Sequence, residues 1–203
     1  MLIGLDFDNT IVCYDQLFHK VAIEKKLIPV SVPPNKIAVR NYLRSINKEE
    51  IWTEMQGYVY GERMQEAEPF SGVLNFIQKS KESGHQLCII SHKTQFPFLG
   101  PKYDLHLSAI EWIKTKLCSK TGEPLFLENE YFFKVSKDEK VKQIKVCGCD
   151  IYVDDLPEIL MNDLFPESTI KFLFDPELHY SQKDYPQFKV NFSWDQITNE
   201  LFL

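Results

Sequence analysis

The sequence predicts an α/β protein in which helices cover both faces of a doubly wound parallel sheet. Five short apolar segments are typical of buried strands, and most stretches between them are typical of helices. The apolar segments are continuous rather than alternating, as expected for parallel strands covered on both faces. Strands that alternate with helices along a chain are characteristic of a parallel sheet. The predicted strands cover residues 2–6, 86–91, 131–134, 151–154 and 169–174.

The helices between these strands are indicated by apolar spacing and by terminal signals. Apolar residues recur at helical spacing in 70–77, and Gly84 marks the end of that helix. Ser136 and Glu139 form a capping-box pattern at the start of another helix, which Gly148 ends. Each of these two helices precedes a predicted strand, as the alternation requires.

The interval between the first strand and Pro69 has a different character. It contains no strand-like segment, and three helix-like segments follow one another in it. We therefore expect a small helical domain at 14–69, inserted after the first strand of a core formed by 1–13 and 70–203. The helix-like segments cover 15–27, 35–46 and a stretch that starts at Asn47 and buries Trp52, Met55 and Val59.

Composition and charge argue against several classes of protein. Apolar residues make up 44% of the chain, which is enough for a substantial core. The net charge of -6 argues against a nucleic-acid partner, which would require a basic surface. No apolar run approaches the ~18 residues of a membrane span, and the N-terminus does not resemble a signal peptide. The five cysteines are scattered and odd in number, which is typical of reduced thiols, so we expect a cytoplasmic protein without a membrane partner.

Charged and polar side chains follow the predicted strands at their carboxyl ends. In a doubly wound sheet, ligands bind beyond those ends, near the point where the strand order reverses. Two aspartates directly after the first strand repel each other, so their placement there indicates a chemical role. The residues at the strand ends are Asp6, Asp8 and Thr10; Ser91, His92 and Lys93; Lys134 and Lys137; and Asp154 and Asp155.

The acids at these strand ends need a counter-charge, because three or four carboxylates do not share a site unpaired. Carboxylate oxygens suit Mg²⁺, which also keeps water and phosphate oxygens among its ligands. The neighbouring lysine and serine side chains complement the charge of a phosphoryl group. One carboxylate can act as a nucleophile, and a second one, two residues further along an extended strand, can protonate a leaving oxygen. The pattern therefore predicts Mg²⁺-dependent phosphoryl chemistry.

The sequence DFDNT at 6–10 resembles the first motif, DxDxT, of the haloacid dehalogenase (HAD) superfamily. Ser91 is similar to the second motif, a lysine before a helix is similar to the third, and Asp154-Asp155 is similar to the fourth. The four pieces lie in the family's order, each at the end of its own predicted strand. This resemblance covers residues 1–12 and 70–203 and implies a HAD-like Rossmann fold. The inserted helices occupy the place where the family often carries a small helical C1 cap.

The resemblance implies a role for each acid. Asp6 would attack phosphorus and become an aspartyl phosphate, and Asp8 would protonate the leaving oxygen and then activate water. Asp155 would be a metal ligand, with Asp154 supporting the site or sharing that role. Asp6 and the backbone carbonyl of Asp8 would also bind the metal. Ser91 would hydrogen-bond the phosphoryl group.

The site lysine is open among three residues. Lys137 begins a capped helix and is the preferred candidate, while Lys134 and Lys140 remain alternatives. Asparagine stands where the commoner form of the motif has glycine, and it tolerates left-handed backbone angles better than most residues. Further contacts with the phosphoryl group or the substrate are expected from Asn9, Thr10, His92 and Lys93.

The activity that the resemblance implies is Mg²⁺-dependent hydrolysis of a small phosphorylated metabolite, that is, a phosphoric monoester hydrolase. Asp8 favours ester hydrolysis over carbon–halogen cleavage, because dehalogenases of this superfamily lack the second acid. A phosphotransferase or phosphomutase of the same superfamily and a non-catalytic HAD-like binding module remain alternatives. The sequence predicts neither the physiological substrate nor the oligomeric state.

Overall fold

The computed structural model describes residues 1–202, which divide into two compact units. The first, here called the sheet unit, comprises Met1–Val12, Pro69–Lys93 and the chain from Leu117 onwards. The second, here called the helical unit, comprises Cys13–Glu68 and Thr94–Lys116. The helical unit therefore contains the expected insert together with a second segment that we expected in the core.

The main sheet has six parallel strands and confirms the predicted fold class. In chain order the strands are β1 (Leu2–Leu5), β2 (Val12–Cys13), β3 (Glu68–Pro69), β4 (Gln86–His92), β5 (Tyr131–Lys134), β6 (Ile151–Asp154), β7 (Ile170–Phe174) and β8 (Lys189–Asn191). The order across the main sheet is β5-β4-β1-β6-β7-β8, and β2 pairs with β3 where the chain passes between the units. All five predicted strands are present, and β8 is an additional edge strand.

The position of β1 at the middle of the sheet determines where the site forms. Leu5 is paired with Ile89 of β4 on one side and with Val153 of β6 on the other. The Asp6 amide continues this pairing by donating to the Val153 carbonyl at 2.9 Å. Because the strand order reverses about β1, its carboxyl end lies at the switch point where open α/β sheets bind ligands.

The helices of the described residues cover the sheet and build the helical unit. They are α1 (Asp15–Glu24), α2 (Lys36–Ser45), α3 (Glu49–Tyr60), α4 (Val73–Glu82), α5 (Leu105–Lys116), α6 (Lys137–Cys147), α7 (Pro157–Leu160) and α8 (Trp194–Phe202). A 3₁₀ turn covers Met64–Glu66. In the sheet unit, α6 packs against β4 and β5, and α8 packs against α4. None of these helices combines the length and apolar composition needed to cross a membrane.

Two predicted helix starts are confirmed by side-chain caps. Asn35 Oδ1 accepts a hydrogen bond from the Ala38 amide at 2.7 Å, at the start of α2. Ser136 Oγ accepts one from the Glu139 amide at 3.2 Å, at the start of α6. Gly148 ends α6 in the left-handed conformation, with a φ of 69°, which glycine adopts without steric cost.

The third helix of the insert begins later than predicted. It starts at Glu49 rather than Asn47, and Asn47 has a left-handed φ of 57° instead of capping the helix. Lys48 provides no side-chain cap, but two glutamates in the first turn of α3 lie near the positive end of the helix dipole. The apolar face of α3 is buried as predicted.

Close backbone contact explains why Thr94–Lys116 belongs to the helical unit. A Cβ atom on Gly57 of α3 would lie 2.6 Å from the Cβ atom of Pro97. A Cβ atom on Gly61, directly after α3, would overlap Tyr103. The two glycines therefore let this segment pack directly onto the helix backbone. The sequence pattern of 94–116 gave no sign of this contact.

Candidate active site

The loop after β1 is tightly turned and carries both acids of the first motif. The amides of Ile11 and Val12 both donate to the Phe7 carbonyl at 3.0 Å. Asn9 has a φ of 59°, in the left-handed region that asparagine tolerates better than most residues. The turn expected at Asn9 is therefore present, and it fixes the backbone on both sides of the second acid.

The Asp6 carboxylate is buried and receives hydrogen bonds from three side chains. The Ser91 hydroxyl donates to Oδ1 at 3.0 Å, and the Thr10 hydroxyl donates to Oδ2 at 3.2 Å. Lys140 Nζ donates to Oδ1 at 2.6 Å. Asp6 as a whole is 4% exposed. These contacts bring the ends of β1 and β4 and the first turns of α6 to a single carboxylate.

Lys140 joins this carboxylate to a second one. Its Nζ lies 2.6 Å from Oδ2 of Asp154, and its side chain is 2% exposed. Burial alone would lower the pKa of Lys140, but the carboxylates of Asp154 and Asp6 outweigh this effect and raise the pKa above its ordinary value. Lys140 is therefore a buried ammonium held between two acids.

Asp6, Asp154 and Asp155 form a compact acidic cluster. One carboxylate oxygen from each lies within 4.8 Å of the other two. Burial raises the pKa of Asp154, and the attraction of Lys140 does not fully offset that rise. Among the described residues, Asp154 Oδ2 has Lys140 as an ion-pair partner but lacks a well-directed hydrogen bond. The Thr10 hydroxyl lies 3.4 Å from Oδ1 of Asp155.

A divalent cation fits this donor set. The carboxylates at the centre of the site outnumber the ammonium groups by two, and hard carboxylate oxygens are the protein ligands that Mg²⁺ prefers. The charged residues at the centre are Asp6, Asp8, Asp154, Asp155, Lys93 and Lys140.

Asp8 makes a different contact from the other acids. Lys93 Nζ donates to Oδ1 of Asp8 at 2.8 Å and to Oδ2 at 2.7 Å. The Lys93 side chain is 3% exposed, whereas that of Asp8 is 20% exposed. The sequence indicated both residues as parts of the site, but it contained no sign that they pair.

Tyr152 of β6 is a neighbour of the site that the sequence pattern did not single out. Lys140 Nζ lies 5.8 Å from the centre of its ring. The Tyr152 hydroxyl donates to the Ile90 carbonyl, and burial raises its pKa well above the ordinary value. Its ring crosses β1 at Gly4, where a Cβ atom would lie 2.6 Å from Tyr152 Cδ2. Glycine in β1 therefore makes room for the ring that packs beside Lys140.

The similarity of the chain to known proteins lies in its structure. No protein-family model and no curated protein matches it. A HAD family hydrolase from Deinococcus radiodurans, with bound phosphate and sodium, has a TM-score of 0.57 at 11% identity, over 98% of this chain and 94% of that one. YfnB from Bacillus subtilis, a HAD-hydrolase bound to magnesium, has a TM-score of 0.57 at 11% identity, and the match covers 100% of this chain and 98% of that one. A predicted phosphatase from Clostridium acetobutylicum has a TM-score of 0.55 at 16% identity, and the match covers 98% of this chain and 97% of that one.

The chain has the HAD fold. The fold that the sequence resemblance implied is therefore confirmed. In this HAD fold, the four motif-like segments converge at the carboxyl end of β1, although they are far apart in the sequence. The predicted residues that come together there are Asp6, Asp8, Thr10, Ser91, Lys93, Asp154 and Asp155.

The lysine that contacts Asp6 in this HAD fold is Lys140, so the preference for Lys137 is corrected. Lys137 Nζ lies 2.5 Å from Glu158, and the Lys137 side chain is 45% exposed. The third candidate, Lys134, has its Nζ 5.9 Å from the ring centre of Phe132. Lys137 is the first residue of α6, whereas Lys140 lies on the buried face of the helix. Helical spacing in the sequence does not separate the two lysines, because Lys137 precedes the buried Val141 by four residues just as Lys140 precedes the buried Ile144.

His92 makes its hydrogen bond outside the acidic cluster. Its Nε2 lies 3.1 Å from the Val135 carbonyl, and burial lowers the pKa of the ring. Asn9 contributes the left-handed turn of its backbone. Contacts of His92 and Asn9 with the substrate therefore remain predictions.

Proposed function

We propose that the chain is a Mg²⁺-dependent phosphatase that hydrolyses a small phosphorylated metabolite through an aspartyl phosphate on Asp6. The observation that carries this proposal is the environment of Asp6. Its carboxylate is held by Ser91, Thr10 and Lys140 beside a cluster of acids that suits a divalent cation. A carboxylate held in one orientation next to phosphate-complementing donors is the arrangement that covalent phosphoryl transfer requires.

In the first step, a carboxylate oxygen of Asp6 attacks phosphorus, and the bond between phosphorus and the leaving oxygen breaks. Asp8, in its protonated form, gives its proton to that oxygen, which departs as an alcohol. Ser91 and Lys140 contact Asp6 Oδ1 and are therefore placed to donate to the oxygens of the incoming phosphoryl group.

In the second step, water attacks phosphorus of the aspartyl phosphate, and the bond to Asp6 breaks. The Asp8 carboxylate takes the proton from this water, so both acids return to their starting forms with release of inorganic phosphate. Asp6, Asp154, Asp155 and the carbonyl of Asp8 would hold Mg²⁺. When bound, Mg²⁺ would supply positive charge to the phosphoryl oxygens.

The helical unit is proposed as a C1-type cap domain. Its proposed role is to exclude water from the phosphoryl group and to select the alcohol part of the substrate. Support comes from its place in the sequence, since its larger segment follows the first motif directly. Its second segment, Thr94–Lys116, follows Lys93 directly.

The test is turnover of p-nitrophenyl phosphate with Mg²⁺ by the wild type and by Asp6→Asn. Asparagine keeps the shape of the side chain but is not a nucleophile, so we expect turnover to disappear. Asp163→Asn is the matched control, because Asp163 is exposed and outside the acidic cluster. EDTA should stop the wild-type reaction.

Equal turnover by the wild type and Asp6→Asn would contradict the proposal. Folded wild-type protein that turns over neither p-nitrophenyl phosphate nor a panel of phosphorylated metabolites would favour the binding-module alternative. Transfer of the phosphoryl group to an added alcohol in preference to water would favour the phosphotransferase.

A further inference from the structure

The ion pair between the buried Lys93 and the partly exposed Asp8 has a geometry that the proposed reaction does not by itself require. One ammonium group donates to both oxygens of a single carboxylate, at 2.8 Å and 2.7 Å. The Lys93 side chain is 3% exposed, so its ammonium group is almost entirely removed from water. A buried ammonium group is costly unless it is paired, which makes this contact a persistent one.

Both residues are also fixed through the backbone. The Lys93 amide donates to the Lys134 carbonyl at 2.8 Å, which extends the pairing of β4 with β5 by one residue. Lys93 Nζ lies 5.7 Å from the ring centre of Phe7, the residue between the two acids of the first motif. Asp8 is bridged to Val12 within the tight loop after β1. The ion pair therefore links the tight loop after β1 to the end of β4.

We propose that Lys93 is a positioning residue that orients the Asp8 carboxylate for proton transfer. The inference rests on the proposed function, because it concerns the acid that moves the protons in that reaction. An aspartate carboxyl group can turn away from the leaving oxygen about its two side-chain torsions, and the contact with Lys93 restricts that rotation. Lys93 acts on the reaction through Asp8 in this proposal, whereas Ser91 and Lys140 contact Asp6.

The alternative role for Lys93 is direct binding of the phosphoryl group, which the sequence also suggested. The structure favours positioning, since Lys93 Nζ uses two of its three N–H donors on Asp8. If Lys93 bound the phosphoryl group directly, its removal would lower the activity on every substrate, whether or not Asp8 were present. Positioning predicts an effect that exists only while Asp8 can move a proton.

The test is a double-mutant cycle with Lys93→Met, Asp8→Asn and the double variant, measured on two substrates. p-Nitrophenyl phosphate has an activated leaving group that needs little protonation, whereas phenyl phosphate has a similar shape and a poorer leaving group. We expect Lys93→Met to lower kcat on phenyl phosphate by about 10²-fold, the cost of a misplacement of about 1 Å. The loss on p-nitrophenyl phosphate should be at least tenfold smaller, and KM should change little on both.

In the Asp8→Asn background, Lys93→Met should cause no further loss on phenyl phosphate, because the proton-transfer group is already missing. Lys93→Arg should recover part of the activity, since its guanidinium can also donate to both carboxylate oxygens. Lys189→Met is the matched control, because Lys189 forms an exposed ion pair with Glu200. It should leave the kinetics of the wild type unchanged. Circular dichroism and thermal unfolding of each variant establish that the fold is retained.

Two results would overturn the inference. Losses that multiply in the double variant would show that Lys93 acts independently of Asp8. A higher KM on both substrates with unchanged kcat would assign Lys93 to phosphoryl binding. Wild-type protein without any phosphatase turnover would instead overturn the proposed function itself, and the inference would fall with it.

Discussion

At the scale of single residues, the contacts of the site converge on Asp6. Its two oxygens receive hydrogen bonds from Ser91, Thr10 and Lys140, which come from three separate parts of the chain. Such convergence leaves the carboxylate little freedom to rotate, so in the proposed reaction its attacking oxygen would be oriented before a substrate arrives. Lys140 has a second function in the same place, since it separates Asp6 from Asp154 and neutralises part of their charge.

Replacement of Lys140 tests whether it is the site lysine. Lys140→Met should lower kcat on p-nitrophenyl phosphate by about 10²-fold or more, because it removes a cation from the reacting groups. It should also lower the free energy of unfolding by about 3 kcal/mol, since two buried carboxylates lose their partner. Turnover and urea unfolding measure these two effects.

The matched variant is Lys137→Met, which removes the surface ion pair with Glu158. Surface pairs contribute about 0 to 1 kcal/mol, so its stability and turnover should stay close to those of the wild type. A large loss of turnover in Lys137→Met with normal activity in Lys140→Met would restore the sequence-based preference for Lys137.

Asn9 tests the turn that carries the two acids. Its φ of 59° lies in the left-handed region, which is costly for β-branched residues. Asn9→Gly should keep the fold, whereas Asn9→Val should destabilise the protein by about 1–2 kcal/mol. Thermal unfolding of both variants provides the measurement. Equal behaviour of the glycine and valine variants would show that the turn imposes no such requirement.

At the scale of elements, α6 is the helix that delivers Lys140 to the site. It begins at a serine cap and ends at a left-handed glycine. Ser136 Oγ accepts a hydrogen bond from the amide of Glu139, the residue before Lys140. The first turn of the helix is therefore fixed directly beside the side chain that contacts Asp6.

Removal of the cap tests this link between the element and the site. Ser136→Ala should lower the free energy of unfolding by about 1 kcal/mol, because one amide at the helix start loses its partner. Ser45→Ala serves as a control, since Ser45 lies in the last turn of α2, outside any helix start, and its hydroxyl contacts the Tyr42 carbonyl. Urea unfolding of both variants measures the difference. A Ser136→Ala protein as stable as the wild type would show that the cap contributes nothing.

Strong local signals identified the strands at the middle of the sheet and most of the helices, whereas α5 and β8 were missed. The strands that form the middle of the sheet are continuous apolar runs, so they were identified near their observed bounds. β8 was missed because it has three residues, of which only Asn191 is buried. The buried positions of α5 recur at helical spacing and held a usable signal, at Leu105, Ala109, Trp112 and Ile113.

For the candidate site, the sequence identified the acids but not the pairing of the lysines. The aspartates are read from their places at strand ends, which is a one-dimensional pattern. The choice of Lys140 over Lys137 depends on which face of α6 is buried against the sheet. The pairing of Lys93 with Asp8 depends on the strand order, because the two residues lie 85 positions apart. Tertiary packing decides both.

At the scale of the whole molecule, negative charge is concentrated where the motifs meet. The chain has a net charge of -6, and the centre of the site has two more carboxylates than ammonium groups. This concentration is unfavourable for a protein without a bound cation, because like charges at close range repel. A divalent cation bound there would offset this repulsion, and its binding would then be coupled to the stability of the fold.

Thermal unfolding with and without Mg²⁺ tests this coupling without any use of activity. Mg²⁺ at about 100 times its Kd should add about 2.7 kcal/mol to the free energy of unfolding of the wild type. The shift should be reversed by EDTA and reduced in Asp155→Asn, while Asp163→Asn should retain it. An equal shift in wild type and Asp155→Asn would place the metal elsewhere.

The proposed reaction requires Asp6 to carry the phosphoryl group, so trapping that group on the protein tests it. Asp8→Asn should slow hydrolysis of the intermediate, because no carboxylate remains to take the proton from water. This variant is mixed with p-nitrophenyl phosphate and Mg²⁺, quenched in acid, and analysed by intact-mass and peptide-mapping mass spectrometry. We expect a single added phosphoryl group on the peptide that contains Asp6. The Asp6→Asn/Asp8→Asn protein should carry none. A phosphoryl group on another residue, or none while p-nitrophenol is still released, would contradict the proposed reaction.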